Sequence, residues 1–174
     1  MTEQPGRYER SATGMVGAMI VLLLVVGAFV LFRDLNRTDV DNPAKTVDYQ
    51  QTLRFAQDQV DFPLLAPPEL PEGWRATSVR FVPEPSRWHL GVLTDEGRYV
   101  GLEQSHSSPD NMVETYVDRE AVEGEPTQVA GETWRTWTDE GGDTALVREV
   151  DGVTTLVVGT AGVDVLVDYV ESLR

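Results

Sequence analysis

The sequence predicts an α+β fold: a mainly antiparallel sheet packed by helices, carried behind one N-terminal hydrophobic helix. Three observations lead there. Residues 14–32, "GMVGAMIVLLLVVGAFVLF", hold no charge. Several segments rich in β-branched and aromatic residues are separated by two- or three-residue turn signals, which join antiparallel neighbours. Helical spacings of three and four appear on the same chain, and hairpins together with helices define the α+β class.

In chain order, residues 1–13 are a short tail and residues 14–32 a transmembrane helix. Nineteen residues at 1.5 Å each make a helix of about 29 Å, against a hydrocarbon core of about 30 Å. A core helix would carry a polar stripe, and this run has none. A cleaved signal would need a shorter apolar region ending in small residues. Val26-Gly27-Ala28 is a weak pattern of that kind, but Phe29 to Phe32 continue the apolar run beyond it. The run therefore reads as an uncleaved single-pass anchor. The one small-xxx-small spacing, Gly14 to Ala18, reads as ordinary membrane-helix composition. Orientation is nearly tied by charge, with Arg7 and Arg10 before the run and Arg33, Arg37 and Lys45 after it. An N-terminal anchor ahead of a large domain behaves as an export signal. The expected arrangement is thus a cell-membrane protein with a cytoplasmic N-terminus and an extracytoplasmic C-terminal domain.

Residues 33–47 are a polar linker, and residues 48–174 a single acidic domain. Two of the 29 acidic and three of the 14 basic residues precede Asp34, leaving 27 against 11 and a net −16 for the remainder. Such a charge repels nucleic acid and anionic lipid, so no nucleic-acid partner is expected. The absence of cysteine rules out disulfides, thiolate ligands and lipid-modified cysteine.

Within the domain, Asp48 as N-cap with Gln51 three residues on begins a helix through Leu53, Ala56 and Val60. "FPLLAPPELPEGW" (62–74), with four prolines, is an extended crossing. Strands are predicted at 74–82, 87–93 and 98–105, the last two joined by Asp95-Glu96-Gly97 with Gly97 left-handed. Ser108-Pro109 opens a second helix, Ser as N-cap and Pro at N1. After an acidic loop at 120–125 come strands 132–138, 143–150 and 153–159, the last pair turning at Asp151-Gly152. Val163, Leu166, Val167, Val170 and Leu173 predict a C-terminal helix.

Recognisable chemistry is absent. His89 and His106 lack metal-site spacing, and no nucleophile elbow, P-loop or dinucleotide fingerprint occurs. Asp139, Glu140 and Asp143 around Gly141-Gly142 lack the calcium-loop pattern. No catalytic, metal or cofactor-binding residue is assigned, and no cofactor is expected. Trp134 and Trp137, three apart in a strand, should face opposite sides of the sheet.

The 87–105 hairpin is the most informative segment. A three-residue turn pairs Thr94 with Arg98, and then Val92 with Val100 and Leu90 with Leu102, which with Trp88 form an apolar face. The other face sets His89 against Glu103 and Gly91 against Gly101, with Leu93 against Tyr99. Two facing glycines leave a trough, filled most simply by a helix or an aromatic ring from elsewhere in the domain. The alternative occupant is a ligand, which would make His89, Glu103, Gly91 and Gly101 ligand-facing.

Pro5-Gly6-Arg7-Tyr8, Arg10-Ser11, Gly14-Met15-Val16-Gly17-Ala18, "LPEGWRATSVRF" (70–81), Trp88-His89-Leu90-Gly91, Glu114-Thr115-Tyr116-Val117 and Gly131-Glu132-Thr133-Trp134 resemble the actinobacterial single-pass membrane family catalogued as domain of unknown function 4245. The resemblance implies an N-terminal anchor and one domain of unassigned role, with no catalytic residues to carry over. The expected function is a non-enzymatic cell-envelope binding or accessory module with a protein or small-molecule partner. Its rival is an envelope hydrolase using carboxylates.

Overall fold

A computed structural model describes residues 15–17, 19–23, 25–27 and 45–174. Most of the expected linker, and Gly14, Ala18, Leu24 and 28–32 of the expected anchor, lie outside the described residues. The described part of the 14–32 run is helical, and its Met, Val, Ile and Leu side chains are 51–75 % exposed. Among the described residues no helix is long and apolar enough to cross a membrane.

Residues 45–174 belong to one compact unit. Helix α1 (Tyr49–Gln57) is capped by the Asp48 carboxylate, which accepts from the backbone N–H of Gln50 at 3.1 Å and of Gln51 at 3.4 Å. Strands β1 (Arg75–Val82), β2 (Arg87–Leu93) and β3 (Tyr99–Ser105) form a first antiparallel meander. Helix α2 (Pro109–Tyr116) follows, with Ser108 as N-cap and Pro109 in its first turn. Short strands β4 (Val122–Glu123) and β5 (Thr127–Val129) lead to a second meander, β6 (Glu132–Thr138), β7 (Thr144–Val150) and β8 (Val153–Gly159). Helix α3 (Val163–Ser172) comes last.

The sheet order is β1-β2-β3-β8-β7-β6-β4, with β5 pairing β6, and each of these pairs is antiparallel. The expected α+β class with a mainly antiparallel sheet is therefore the observed one. The acidic loop expected at 120–125 is shorter than read, because Val122 and Glu123 pair with Thr138 and Trp137.

The β2–β3 register is the expected one: Val92 opposite Val100, Leu90 opposite Leu102, Gly91 opposite Gly101 and His89 opposite Glu103. The turn sets it. Gly97 takes φ +76°, and Thr94 N–H donates to the Arg98 carbonyl at 2.9 Å. At the β7–β8 turn Asp151 and Gly152 both have positive φ, as a two-residue type I′ hairpin needs.

One sheet face carries the larger core. Trp88, Leu90, Val92, Val100 and Leu102 are fully buried there, joined by Leu146 and Val157 and covered by α1, α3 and the proline-rich segment. Each such side chain contributes roughly 1.5–3 kcal/mol on burial. The crossing is tied down by polar contacts. Trp88 Nε1 donates to the Leu65 carbonyl at 3.0 Å, and Leu65 N–H donates to Gln104 Oε1 at 2.6 Å. On the opposite face α2 packs Met112 and Val113 onto Ala145, Val147, Leu156 and Val158 of β7 and β8. Trp134 lies in the first core and Trp137 against the second, so the two tryptophans do face opposite sides.

Candidate functional site

Alternation along β1, β2 and β3 places Ser78, Arg80 and Val82, then Arg87, His89 and Gly91, then Tyr99, Gly101 and Glu103 on the face away from the larger core. Helix α2 covers this face over β7 and β8, and its last residue, Tyr116, reaches the boundary with the first meander. Over β1–β3 the face stays open and forms a cavity of about 350 Å³ lined by Arg80, Val82, Arg87, His89, Tyr99, Glu103 and Tyr116. That volume falls at the small end of ligand sites.

Three of these strands build a linear relay. His89 Nδ1 contacts Glu103 Oε1, and His89 Nε2 lies 2.8 Å from Ser78 Oγ. Glu103 is only 5 % exposed. A carboxylate can only accept, so the Nδ1 facing it carries a proton; in the tautomer with Nε2 unprotonated, the ring accepts from the Ser78 hydroxyl. Ser78 reaches this position through a β-bulge: Ala76 pairs with Val92 and Ser78 with Gly91, which leaves Thr77 extra.

The glycine trough exists, and its filler is a residue of the hairpin itself. The Tyr99 ring, two residues before Gly101, leans across both glycines. A Cβ at Gly101 would lie 2.8 Å from the Tyr99 hydroxyl, and one at Gly91 would lie 3.0 Å from it and against Ser78 Oγ. The absence of a Cβ at both positions lets the Tyr99 ring and the Ser78 hydroxyl approach the sheet this closely. The four residues expected to face a ligand therefore divide into two pairs. His89 and Glu103 carry polar atoms in the cavity wall, whereas Gly91 and Gly101 form the bed under Tyr99.

The charges around the cavity are set by burial and by Glu103. Burial, then the Glu103 charge, pushes Tyr99 up to about 12. Burial, then Glu103, raises Tyr116 in the same direction. Both phenols therefore remain protonated donors through the physiological range. Among the described residues neither Arg80 nor Arg87 takes part in an ion pair, whereas Arg98, Arg119, Arg135 and Arg148 do. In a domain with net −16 from Asp34 onward, two exposed arginines beside one buried carboxylate make a local cationic patch.

Sequence reasoning passed over Ser78, Arg80, Arg87, Tyr99 and Tyr116 as site residues. Arg87-Trp88-His89 contains the signal for one of them, since residues two apart in a strand share a face. Ser78 and Arg80 could not be placed without the bulge, and Tyr116 needs the helix to be docked.

A second cavity, about 390 Å³, lies on the larger-core side between the proline-rich segment and the end of the sheet. Phe62, Leu65 and Trp134 line it with Gln104, His106 and Arg148. His106 packs edge-on to Phe62, at 5.1 Å between ring centroids, and Nδ1 lies 3.1 Å from the Gly152 carbonyl. Trp134 is 5 % exposed and belongs to the larger core, so the cavity borders on that core.

The structure thus defines a class: a single antiparallel-sheet α+β domain with one sheet face packed and the other packed over only half its width. The chain belongs to the family described as Protein of unknown function (DUF4245), which matches residues 7–173. No curated protein matches it.

Proposed function

We propose that the chain is a single-pass membrane protein whose acidic domain, residues 48–174, lies outside the cytoplasm and serves the cell envelope as a binding module for an anionic ligand. The open half-face of β1–β3 is the observation that carries this reading. A sheet face normally receives a helix or a second sheet, as the neighbouring β7–β8 half does. Here the place is left to a cavity with Arg80, Arg87 and two phenolic donors around it. Guanidinium forks and hydroxyls are the groups that recognise carboxylate or phosphate.

The anchoring part of the proposal is supported by the nineteen-residue run and by the exposure of its described apolar side chains. The carboxylate-hydrolase rival needs two acids on one cleft, and this cavity has one, Glu103. In the second cavity Asp61 and Asp151 sit at the lining, with the Asp61 side chain 85 % exposed and facing His106. That arrangement gives the rival no support.

Two measurements test the proposal. Protease added to intact spheroplasts should remove the domain while a cytoplasmic control survives, and the N-terminal fragment should resist a high-salt wash of the membranes. Survival of the domain beside the control would reverse the topology. For the site, inorganic phosphate should raise the melting temperature of the detergent-solubilised full chain above that in chloride at equal ionic strength. The shift should vanish in the double variant Arg80→Ala, Arg87→Ala; an equal shift in that variant would place anion binding elsewhere.

A further inference from the structure

We propose that Ser78 is a nucleophile activated by His89, and that the open face transfers the acyl group of an anionic carboxylic ester first to Ser78 and then to water. The inference rests on the reading that this face receives an anionic ligand, and adds chemistry to it. Ser78 Oγ lies 2.8 Å from His89 Nε2, and His89 Nδ1 is held by the buried Glu103. A nucleophile in reach of a base that a third group orients is the geometric signature of an activated hydroxyl. The carboxylate fixes the proton at Nδ1, and of the two tautomers of the imidazole it selects the one whose Nε2 lone pair faces Ser78.

Packing gives no reason for these residue types. On the other half of the same face the equivalent positions are Ala145, Val147, Leu156 and Val158, which pack against a helix. A buried carboxylate is costly unless fully bonded, and apolar residues would make a more stable face. The bulge that brings Ser78 to His89, and the glycine at 91 that makes room for its hydroxyl, are two further departures from a plain sheet at the same spot.

In the reaction, Ser78 Oγ attacks the ester carbon as its proton passes to His89 Nε2, and the carbonyl π pair moves onto oxygen. Arg80, directly opposite His89 in the sheet, is the cation nearest in register to that oxyanion, and the Tyr99 hydroxyl beside Gly91 is a second donor. Collapse re-forms the carbonyl and breaks the bond to the leaving alkoxide, which takes the proton from Nε2. Water then adds to the acyl-serine by the same proton route, releasing the acid and restoring Ser78. Arg87, also lining the cavity, holds the anionic group of the substrate. Ser78 and His89 are the catalytic pair, and Glu103 is a positioning residue.

The test uses the full chain in detergent and a fluorophosphonate probe, in which Oγ–P bond formation expels fluoride. Peptide mapping should find the label on Ser78 in the folded protein and no label on Ser78 after thermal unfolding. His89→Gln should slow labelling at least about 100-fold, the scale of a general base. Glu103→Gln should slow it and alter the pH profile of labelling, because an amide can donate to Nδ1 and favour the wrong tautomer. The mapping on unaltered protein stands even if a variant fails to fold. Label absent from Ser78, or equal labelling of Ser78 in the folded and unfolded chain, overturns the proposal. If phosphate still stabilises the same unlabelled protein through Arg80 and Arg87, the binding reading survives that failure.

Discussion

The two halves of one sheet face obey opposite rules. Over β7 and β8 the outward positions are Ala145, Val147, Leu156 and Val158, and α2 sits on them. Over β1–β3 they are Ser78, Arg80, His89, Gly91, Gly101 and Glu103, and no helix does. The sheet itself is continuous, since β3 pairs with β8 from Val100–Gly159 to Ser105–Thr154. The difference therefore comes from side chains alone. Apolar, β-branched residues recruit a helix, whereas exposed arginines and a tyrosine ring laid over two glycines leave the place of a helix to a cavity.

The strongest way to break this comparison is to cut into the covered half. Leu156 is fully buried under α2, so Leu156→Ala should cost about 3 kcal/mol, read by denaturant unfolding. A loss below about 1 kcal/mol would mean that α2 is not packed as described. Gly159 comes next. A Cβ there would run into the Tyr99 carbonyl oxygen, a backbone atom that cannot swing away, so Gly159→Ala should cost about 2 kcal/mol. The same tyrosine gives the contrasting case on the open half. At Gly101 the added Cβ meets the Tyr99 hydroxyl and ring edge, and that ring, 36 % exposed, can lift toward solvent. Gly101→Ala should therefore cost less than about 1 kcal/mol while making the Tyr99 ring more accessible to a fluorescence quencher. Equal costs at 159 and 101 would show that the open half is as tightly packed as the seam.

The smallest effect concerns protons. Burial holds Tyr99 up to about 12 in the folded chain, against an ordinary value of 10.0. A pKa raised by folding contributes stability that is complete below the unfolded value and lost as pH rises through the folded one. Stability should therefore fall between pH 10 and 12, more steeply than in Tyr99→Phe. Glu103→Gln should lower the Tyr99 midpoint in a spectrophotometric titration yet leave it above 10, because burial is the larger cause and Glu103 the second. An unchanged midpoint would separate Glu103 from the phenol.

Much of this contrast could be read from residue order, and the reasons are local. Gly97 needed a left-handed φ and Asp95-Glu96-Gly97 needed three residues, which together determined the partner of every residue from Thr94 to Trp88. His89 and Glu103 could be paired on that ground alone. Ser108-Pro109 and Asp48 announced their helices because capping uses the side chain of one residue. What stayed hidden depends on events between segments. The Thr77 bulge has no residue signature, so β1 could not be registered and Ser78 was not seen as a neighbour of His89. Strand β4 is two residues long and gains its partners only from β6. Tyr99 was expected opposite Leu93, where the backbone does place it, but its ring leans along its own strand. Such a lean is a matter of rotamer and available space, and the two glycines provide that space.

The seam between β3 and β8 has a further consequence for the order in which the molecule assembles. Strands β1–β3 and β6–β8 are each built from neighbours in sequence, so both can pair early at little loop-closure cost. The β3–β8 seam joins residues 49 to 59 positions apart, from Ser105–Thr154 to Val100–Gly159, and must form later. Ser78, His89 and Glu103 all belong to the first meander, within residues 75–105, and can meet before the seam closes. Yet Glu103 faces Leu156 across that seam, and its burial requires β8 to have arrived. The relay would then be assembled wet and dried last, so that its geometry comes from thirty-one consecutive residues and its low-dielectric surroundings from the other half of the chain.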